Sequence, residues 1–177
     1  DKSITIINPI SNCSYPGVID IQNEENWWDG PIHESVEAYG SPKKMGYIVS
    51  KCYEKQYGIK TLNLIVPNAY GPNDYLDEER THAMNGIIMR MLNSMSKGDK
   101  EFSVWGTGTP IREWVYMPDV KNSLNYDVNI VHDLTKQDGA PIKILGKNLF
   151  TKHFPNFIFT EYKTGIKETI KYYLKHL

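Results

Sequence analysis

Apolar and polar positions follow two different periods along this chain of 177 residues. Residues 4–7 (Ile-Thr-Ile-Ile) are a β-branched run of the kind buried in a parallel sheet, and Asn8-Pro9 is expected to break or bend it. The pattern then lapses. Pro16, Gly17, Gly30, Pro31, Gly40 and Pro42 predict a long loop over 14–43, and so long a loop inside a compact domain is usually functional. From 43 to 57, Met45, Ile48, Val49, Cys52, Tyr53 and Gln56 recur at helical intervals, with Gly58 closing the helix. Residues 61–66 predict the next strand, and 67–74 a sharp turn. Thr81 is placed to cap a helix carrying His82, Ile87, Ile88, Met91, Leu92 and Met95 and ending at Gly98. Residues 102–105 predict a short strand, 106–110 a tight loop, and 112–119 another strand. Ile166, Ile170, Tyr173, Leu174 and Leu177 outline a last amphipathic helix capped by Thr164. Residues 120–128 carry no pattern and read as a surface loop or a shortened join.

A strand–helix–strand order with short links predicts an α/β fold built on a doubly wound parallel sheet. Composition agrees with a globular chain: 40% of residues are hydrophobic and 23% charged. The net charge is −1, with basic residues scattered, so neither nucleic acid nor an anionic membrane is expected as a partner. No apolar run nears the ~20 residues that span a bilayer. The two cysteines, Cys13 and Cys52, make neither a metal-like spacing nor a disulfide framework, so no metal is expected and a reducing, cytoplasmic setting is. The chain opens at Asp1 without a methionine and is strand-like by Ser3, so it reads as part of a longer protein.

Chemistry concentrates at Tyr47 and Lys51. They are four apart, so they share one face of the predicted helix, and a phenol beside a fixed ammonium suits protonation of a carbonyl oxygen. The pair by itself is common in helices and most often means a half-buried aromatic beside a surface lysine. Ser11, just past the first strand, brings a hydroxyl toward the same place, which raises its meaning.

The ordered set Ser11-x-Cys13-x-Tyr15-Pro16, Tyr47-x-x-x-Lys51, Asn68-x-Tyr70-Gly71-Pro72 and Trp105-Gly106-x-Gly108-x-Pro110-x-Arg112-Glu113 resembles the extended short-chain dehydrogenase/reductase family acting on nucleotide sugars. Within it the likeness is closest to the GDP-L-fucose synthases, which epimerise and then reduce a GDP-4-keto-6-deoxymannose. Asp133-x-Thr135-Lys136-x-Asp138-Gly139-x-Pro141-x-Lys143 resembles a segment near the family's C-terminal end. Two departures stand out: no glycine-rich pyrophosphate turn is present, and the region after Val120 is short.

The resemblance implies a Rossmann-like sheet whose N-terminal βαβ half is absent, and a small C-terminal substrate-binding lobe. Residues 1–80 would form the second half of the cofactor domain, and 81–177 mainly the lobe, with strands returning to the sheet. It implies NADP or NAD as cofactor, NADP favoured, a nucleotide-sugar substrate and a homodimer. Tyr47 would be the acid for the carbonyl, Lys51 its activator and ribose ligand, and Ser11 the alkoxide donor. Cys13 and His82 would be the base and acid of epimerisation, with the bland alternative that Cys13 is a small buried hydrophobe. Pro67, Asn68, Ala69, Tyr70 and His82 would approach the cofactor. Asn68, Arg90, Trp105, Arg112 and Lys143 would face the substrate, the arginines as forks for phosphate. Trp27 and Trp28 are expected to pack the loop or shape the site. A reductase or 4-epimerase on another nucleotide sugar, and a non-catalytic remnant, are the competing readings.

Overall fold

The computed structural model describes residues 5–77, 80–113, 127–136, 138 and 141–177. The chain divides into two compact units. One comprises 1–68 and 139–155, the other 69–138 and 156–177.

The first unit is built on strand β1 (Thr5–Ser11), helix α1 (Glu37–Tyr57) and strand β3 (Lys60–Val66). β1 and β3 pair in parallel from Thr5↔Lys60 to Ser11↔Val66, so this is the βαβ unit the pattern predicted. β1 runs straight through Asn8-Pro9 instead of breaking there. Asn8 stays useful inside it: its Nδ2 donates to Asn63 Oδ1 across the pair at 2.9 Å. A second parallel pair joins β2 (Ile21–Gln22) to β7 (Ile142–Leu145). Ile10, Tyr15 and Trp27 form the buried cluster, with Tyr47, Ile65 and Leu145 packed on it.

α1 starts six residues earlier than predicted and takes in both Gly40 and Pro42. Two causes explain the early start. Pro42 lies near the helix N-terminus, where a missing N–H costs least, and Gly40 is a contact point rather than a loop residue. A Cβ at Gly40 would come 2.5 Å from the Cys13 carbonyl oxygen. α1 therefore lies directly on the 3₁₀ turn Asn12–Ser14 that follows β1. Its end is as expected: Gly58, at φ 67°, donates to the Glu54 carbonyl.

The second unit holds α2 (Ala83–Lys97), β4 (Glu101–Trp105), β5 (Ile111–Arg112), β6 (Asn129–Asp133) and, beyond the short helix α3 (Asn148–His153) of the first unit, α4 (Tyr162–Tyr173). β4 and β6 pair in parallel. β4 alternates cleanly, with Phe102 and Val104 buried and Ser103 and Trp105 outward. Ile88, Met91, Ile166 and Tyr173 sit at the centre of the core between α2, β4 and α4. Leu174 and Leu177, read as part of the apolar face of α4, are exposed. The strand predicted over 112–119 is observed at 111–112, and residues 114–120 lie outside those described, as do 121–126.

Both helix caps differ from expectation. His82, not Thr81, is the N-cap of α2, and Glu161, not Thr164, caps α4 by accepting from the Thr164 amide at 2.9 Å. Among the described residues no helix is long and apolar enough to cross a membrane.

Candidate active site

Ser11, Cys13, Tyr47, Lys51 and Lys143 all belong to the first unit. Ser11 ends β1 and caps the following turn, its Oγ accepting from the Cys13 amide at 3.2 Å. That bond uses a lone pair and leaves the hydroxyl hydrogen able to donate. Its carbonyl accepts from Ser14 Oγ at 2.6 Å, and Ser14 Oγ in turn accepts from Trp27 Nε1 at 2.8 Å. Hydroxyl, thiol and indole are thus tied into one turn.

Tyr47 lies half-buried on α1, against that turn's cluster. The Trp27 ring meets it edge-on, with centroids 5.0 Å apart, and Trp28 lies 6.3 Å away. The tryptophan pair accordingly both packs the loop and walls the phenol. The Lys44 ammonium lies over the Trp28 ring, 4.8 Å from its centroid, and burial lowers its pKa.

Lys51 is held by Glu54 on the same helix. The hydrogen bond and charge of Glu54 raise its pKa, with a smaller contribution from Tyr47. Glu54 is also tied to β3, accepting from the Thr61 amide at 3.3 Å. The face shared by Tyr47 and Lys51 exists as predicted, with the ammonium on a carboxylate in this state.

Lys143 is in β7, 7% exposed, and its Nζ lies 3.3 Å from Cys13 Sγ. Sequence reading assigned it to substrate. The structure puts its buried amine on the thiol, a contact between residues 130 positions apart.

His82, Arg90 and Trp105 belong to the second unit. His82 opens α2, with its side chain 65% exposed. Asp74 binds it twice, accepting from the backbone amide at 2.9 Å and facing ring Nδ1 at 3.0 Å. Tyr75, Thr81 and Asn85 also donate to this carboxylate. Burial opposes its ionised form, but these hydrogen bonds outweigh burial and hold its carboxyl well below the usual carboxylate range. Asp74 was not singled out in sequence. It stands eight residues before His82, an N-cap without a side-chain capping bond of its own, which is a weak signal.

The Arg90 guanidinium stacks 4.5 Å from the Trp105 ring, with Lys136 on that ring at 5.4 Å. Thr81, Ala83, Gly86, Ile87, Arg90, Val104 and Trp105 line a cleft of about 210 Å³. Arg112 donates to its neighbouring Ile111 carbonyl and lowers the pKa of Asp138 a little, after the Thr107 hydrogen bonds. Gly106 and Gly108, both at φ 74°, make the turn that lets Thr107 reach Asp138. Pro67 and Asn68 follow β3 in the first unit, whereas Ala69 and Tyr70 begin the second. Tyr70 packs on the second core, its hydroxyl donating to the Tyr162 carbonyl at 3.3 Å.

The pattern of the NAD dependent epimerase/dehydratase family matches residues 2–124. The chain belongs to this family. A "Probable GDP-L-fucose synthase" of Drosophila melanogaster is 23% identical over 98% of the chain and 67% of its own length. Among solved structures, a GDP-L-fucose synthetase from Naegleria fowleri bound to NADP superposes with a TM-score of 0.84, at 24% identity, over 97% of this chain and 64% of that one. A GDP-6-OMe-4-keto-L-xylo-heptose reductase from C. jejuni gives 0.83 at 15% identity, over 98% and 71%. The chain spans about two thirds of the length of these relatives.

The residues present fit the reacting end of the nicotinamide cofactor that the family implies. A strand-end hydroxyl, a phenol and a lysine lie in one unit, next to Asn12, which is 1% exposed with neither amide atom hydrogen-bonded among the described residues. A glycine-rich turn for the pyrophosphate is not in this sequence.

Proposed function

We propose that the full-length protein is a cytoplasmic, NADP-dependent nucleotide-sugar epimerase/reductase of the GDP-L-fucose synthase type. It epimerises GDP-4-keto-6-deoxymannose at C3 and C5 and reduces the C4 carbonyl. The observation that carries this is Cys13 on the turn capped by Ser11, with the Lys143 ammonium on its sulfur. A simple carbonyl reductase needs Ser11, Tyr47 and Lys51 but has no use for a thiol there.

The protons beside the 4-keto group are acidic because the carbonyl delocalises the resulting charge. Cys13 removes one, and His82 returns a proton to the opposite face, inverting the carbon. When bound, the cofactor supplies the hydride. Tyr47 gives its phenolic proton to the C4 oxygen as charge develops, and the Ser11 hydroxyl donates a second hydrogen bond to that oxygen. Lys51, freed from Glu54, would hold the cofactor ribose and stand beside Tyr47. Pro67 to Tyr70 would approach the nicotinamide. Arg90, Trp105 and Arg112, with Asn68, hold the nucleotide diphosphate; the stacked Arg90–Trp105 pair offers a planar donor fork beside an apolar wall. We assign residues 1–80 to the cofactor half and 81–177 mainly to substrate.

The protein acts as a homodimer through α1 in this reading. Met45, Ile48, Val49, Tyr53 and Tyr57 form an exposed apolar stripe on that helix, which a second copy would cover. A reduction-only activity on another nucleotide sugar is the second reading, favoured by the likeness to the heptose reductase fold.

Cys13→Ser separates the two readings. In the full-length enzyme it abolishes solvent-proton exchange at C3 and C5 while reduction of an already epimerised substrate continues. Persistent exchange would reduce Cys13 to a packing residue.

A further inference from the structure

Five donors converge on one carboxylate at the start of α2. Asp74 Oδ2 accepts from Thr81 Oγ1 at 3.0 Å, the His82 amide at 2.9 Å and Asn85 Nδ2 at 2.8 Å, while Oδ1 accepts from the Tyr75 amide at 2.9 Å. The His82 ring bridges both oxygens through Nδ1, at 3.1 and 3.0 Å. Asp74 is 11% exposed on its side chain, His82 65%. A capping carboxylate needs only the amide bonds. The ring contact goes beyond capping.

We propose that Asp74 is a positioning residue that fixes the His82 imidazole so that Nε2 alone exchanges protons with substrate. This rests on the reading of His82 as the epimerisation acid. An ionised carboxylate only accepts, so Nδ1 must carry the proton in that bond, whatever happens at the other nitrogen. Nε2 then points away from the cap into the exposed side. Asp74 itself is locked: Asn85, 2% exposed, holds it and also accepts from the Gly71 amide at 3.3 Å. On the packed side Tyr173 of α4 feels the Asp74 charge: burial makes its phenol harder to ionise, and that charge harder still. It stays a neutral neighbour. The turn 71–75 and helix α2 thus hold the ring from two directions.

The proton balance is simple. Nε2–H is delivered to the enolate carbon, the ring keeps its Nδ1–H on Asp74, and Nε2 is reloaded from solvent. The proton that Cys13 took from the other face returns to solvent in the same cycle. Without Asp74 the ring can turn or carry its single proton on either nitrogen, and a fraction of molecules presents the wrong atom.

Asn in place of Asp74 makes the point testable. One carbonyl oxygen can serve Thr81, the His82 amide and Asn85 at the Oδ2 place, while the amide NH₂ takes the Oδ1 place against Nδ1 and the Tyr75 amide loses its acceptor. With the charge gone the hold on Nδ1–H weakens and the opposite tautomer is favoured. In full-length protein labelled with ¹⁵N-histidine, with His82→Gln for assignment, long-range ¹H–¹⁵N spectra should show the neutral His82 ring protonated on Nδ1. In Asp74→Asn the proton should move to Nε2. Deuterium incorporation from solvent into GDP-4-keto-6-deoxymannose should fall by about 10²–10⁴-fold, the range for losing a correctly presented general acid, with substrate KM little changed. Wild-type protein already protonated on Nε2, or a folded Asp74→Asn that exchanges protons at the wild-type rate, overturns the proposal. If that variant does not fold, the wild-type tautomer decides alone. Wild-type protein that never exchanges substrate protons would defeat the functional reading instead, with the tautomer result standing apart.

Discussion

Two glycines on α1 should respond to the same substitution with opposite signs. A Cβ at Gly40 would sit 2.5 Å from the Cys13 carbonyl oxygen, 3.1 Å from its carbon and 3.2 Å from Ile32 Cδ1. Two of these atoms are backbone and cannot swing aside, so α1 must move off the Asn12–Ser14 turn by most of an ångström. Overpacking of that kind costs about 1–3 kcal/mol. Alanine's advantage over glycine in a helix returns at most ~1 kcal/mol, and less near an N-terminus. Gly40→Ala should therefore lose about 1–2 kcal/mol net. At Gly46 the nearest atom is Asn8 Nδ2 at 3.5 Å, an ordinary contact, so Gly46→Ala should gain about 0.5–1 kcal/mol. With about 2–4 °C per kcal/mol for a protein of this size or somewhat larger, the two melting temperatures should straddle wild type. Thermal and urea unfolding of the full-length variants measure this. Equal stability of the two, or a stabilised Gly40→Ala, would refute the packing of α1 on the Cys13 turn.

Other outcomes follow from single contacts. Trp27→Phe removes the indole N–H that holds Ser14 Oγ and should destabilise by about 1–3 kcal/mol, read by thermal unfolding. Lys143→Met strips the ammonium from Cys13 Sγ and should slow alkylation of Cys13 by iodoacetamide at neutral pH, with exposed Cys52 as internal standard; an unchanged rate would mean the contact is inert. The carboxyl of Asp74 titrates lower in the folded state than in the unfolded chain, so its contribution is fully present above the ordinary carboxylate range and is lost as pH falls through and below it. Acid unfolding should accordingly be less steep in Asp74→Asn than in wild type.

Much of the first unit could be read from residue order. The β-branched run before Ser11, the 3.6-residue rhythm through Tyr53 and the apolar 61–66 segment gave β1, α1 and β3, and Gly58 and Gly98 gave both helix ends. Local rules failed where tertiary contact decides. Gly40 and Pro42 look like loop residues until Cys13 is seen against Gly40. Pro9 looks like a breaker until β1 is paired on one side by β3. The site divides in the same way. Tyr47, Lys51, Ser11 and Cys13 stood out because short spacings carry them. The Lys143–Cys13 contact joins a strand to a turn far away in sequence, and Asp74 acts from a turn on a helix it does not belong to. Neither leaves a periodic trace, so no window of sequence reveals it.

Epimerisation and reduction are proposed for one and the same site. Full-length enzyme mixed with GDP-4-keto-6-deoxymannose and NADPH in deuterated water tests it in one vessel. Stoichiometric NADPH oxidation and a GDP-6-deoxyhexose product carrying solvent deuterium at C3 and C5 are expected. NADPH oxidation with no deuterium at either carbon would contradict the role given to Cys13 and His82, and no oxidation at all would contradict the assignment of substrate.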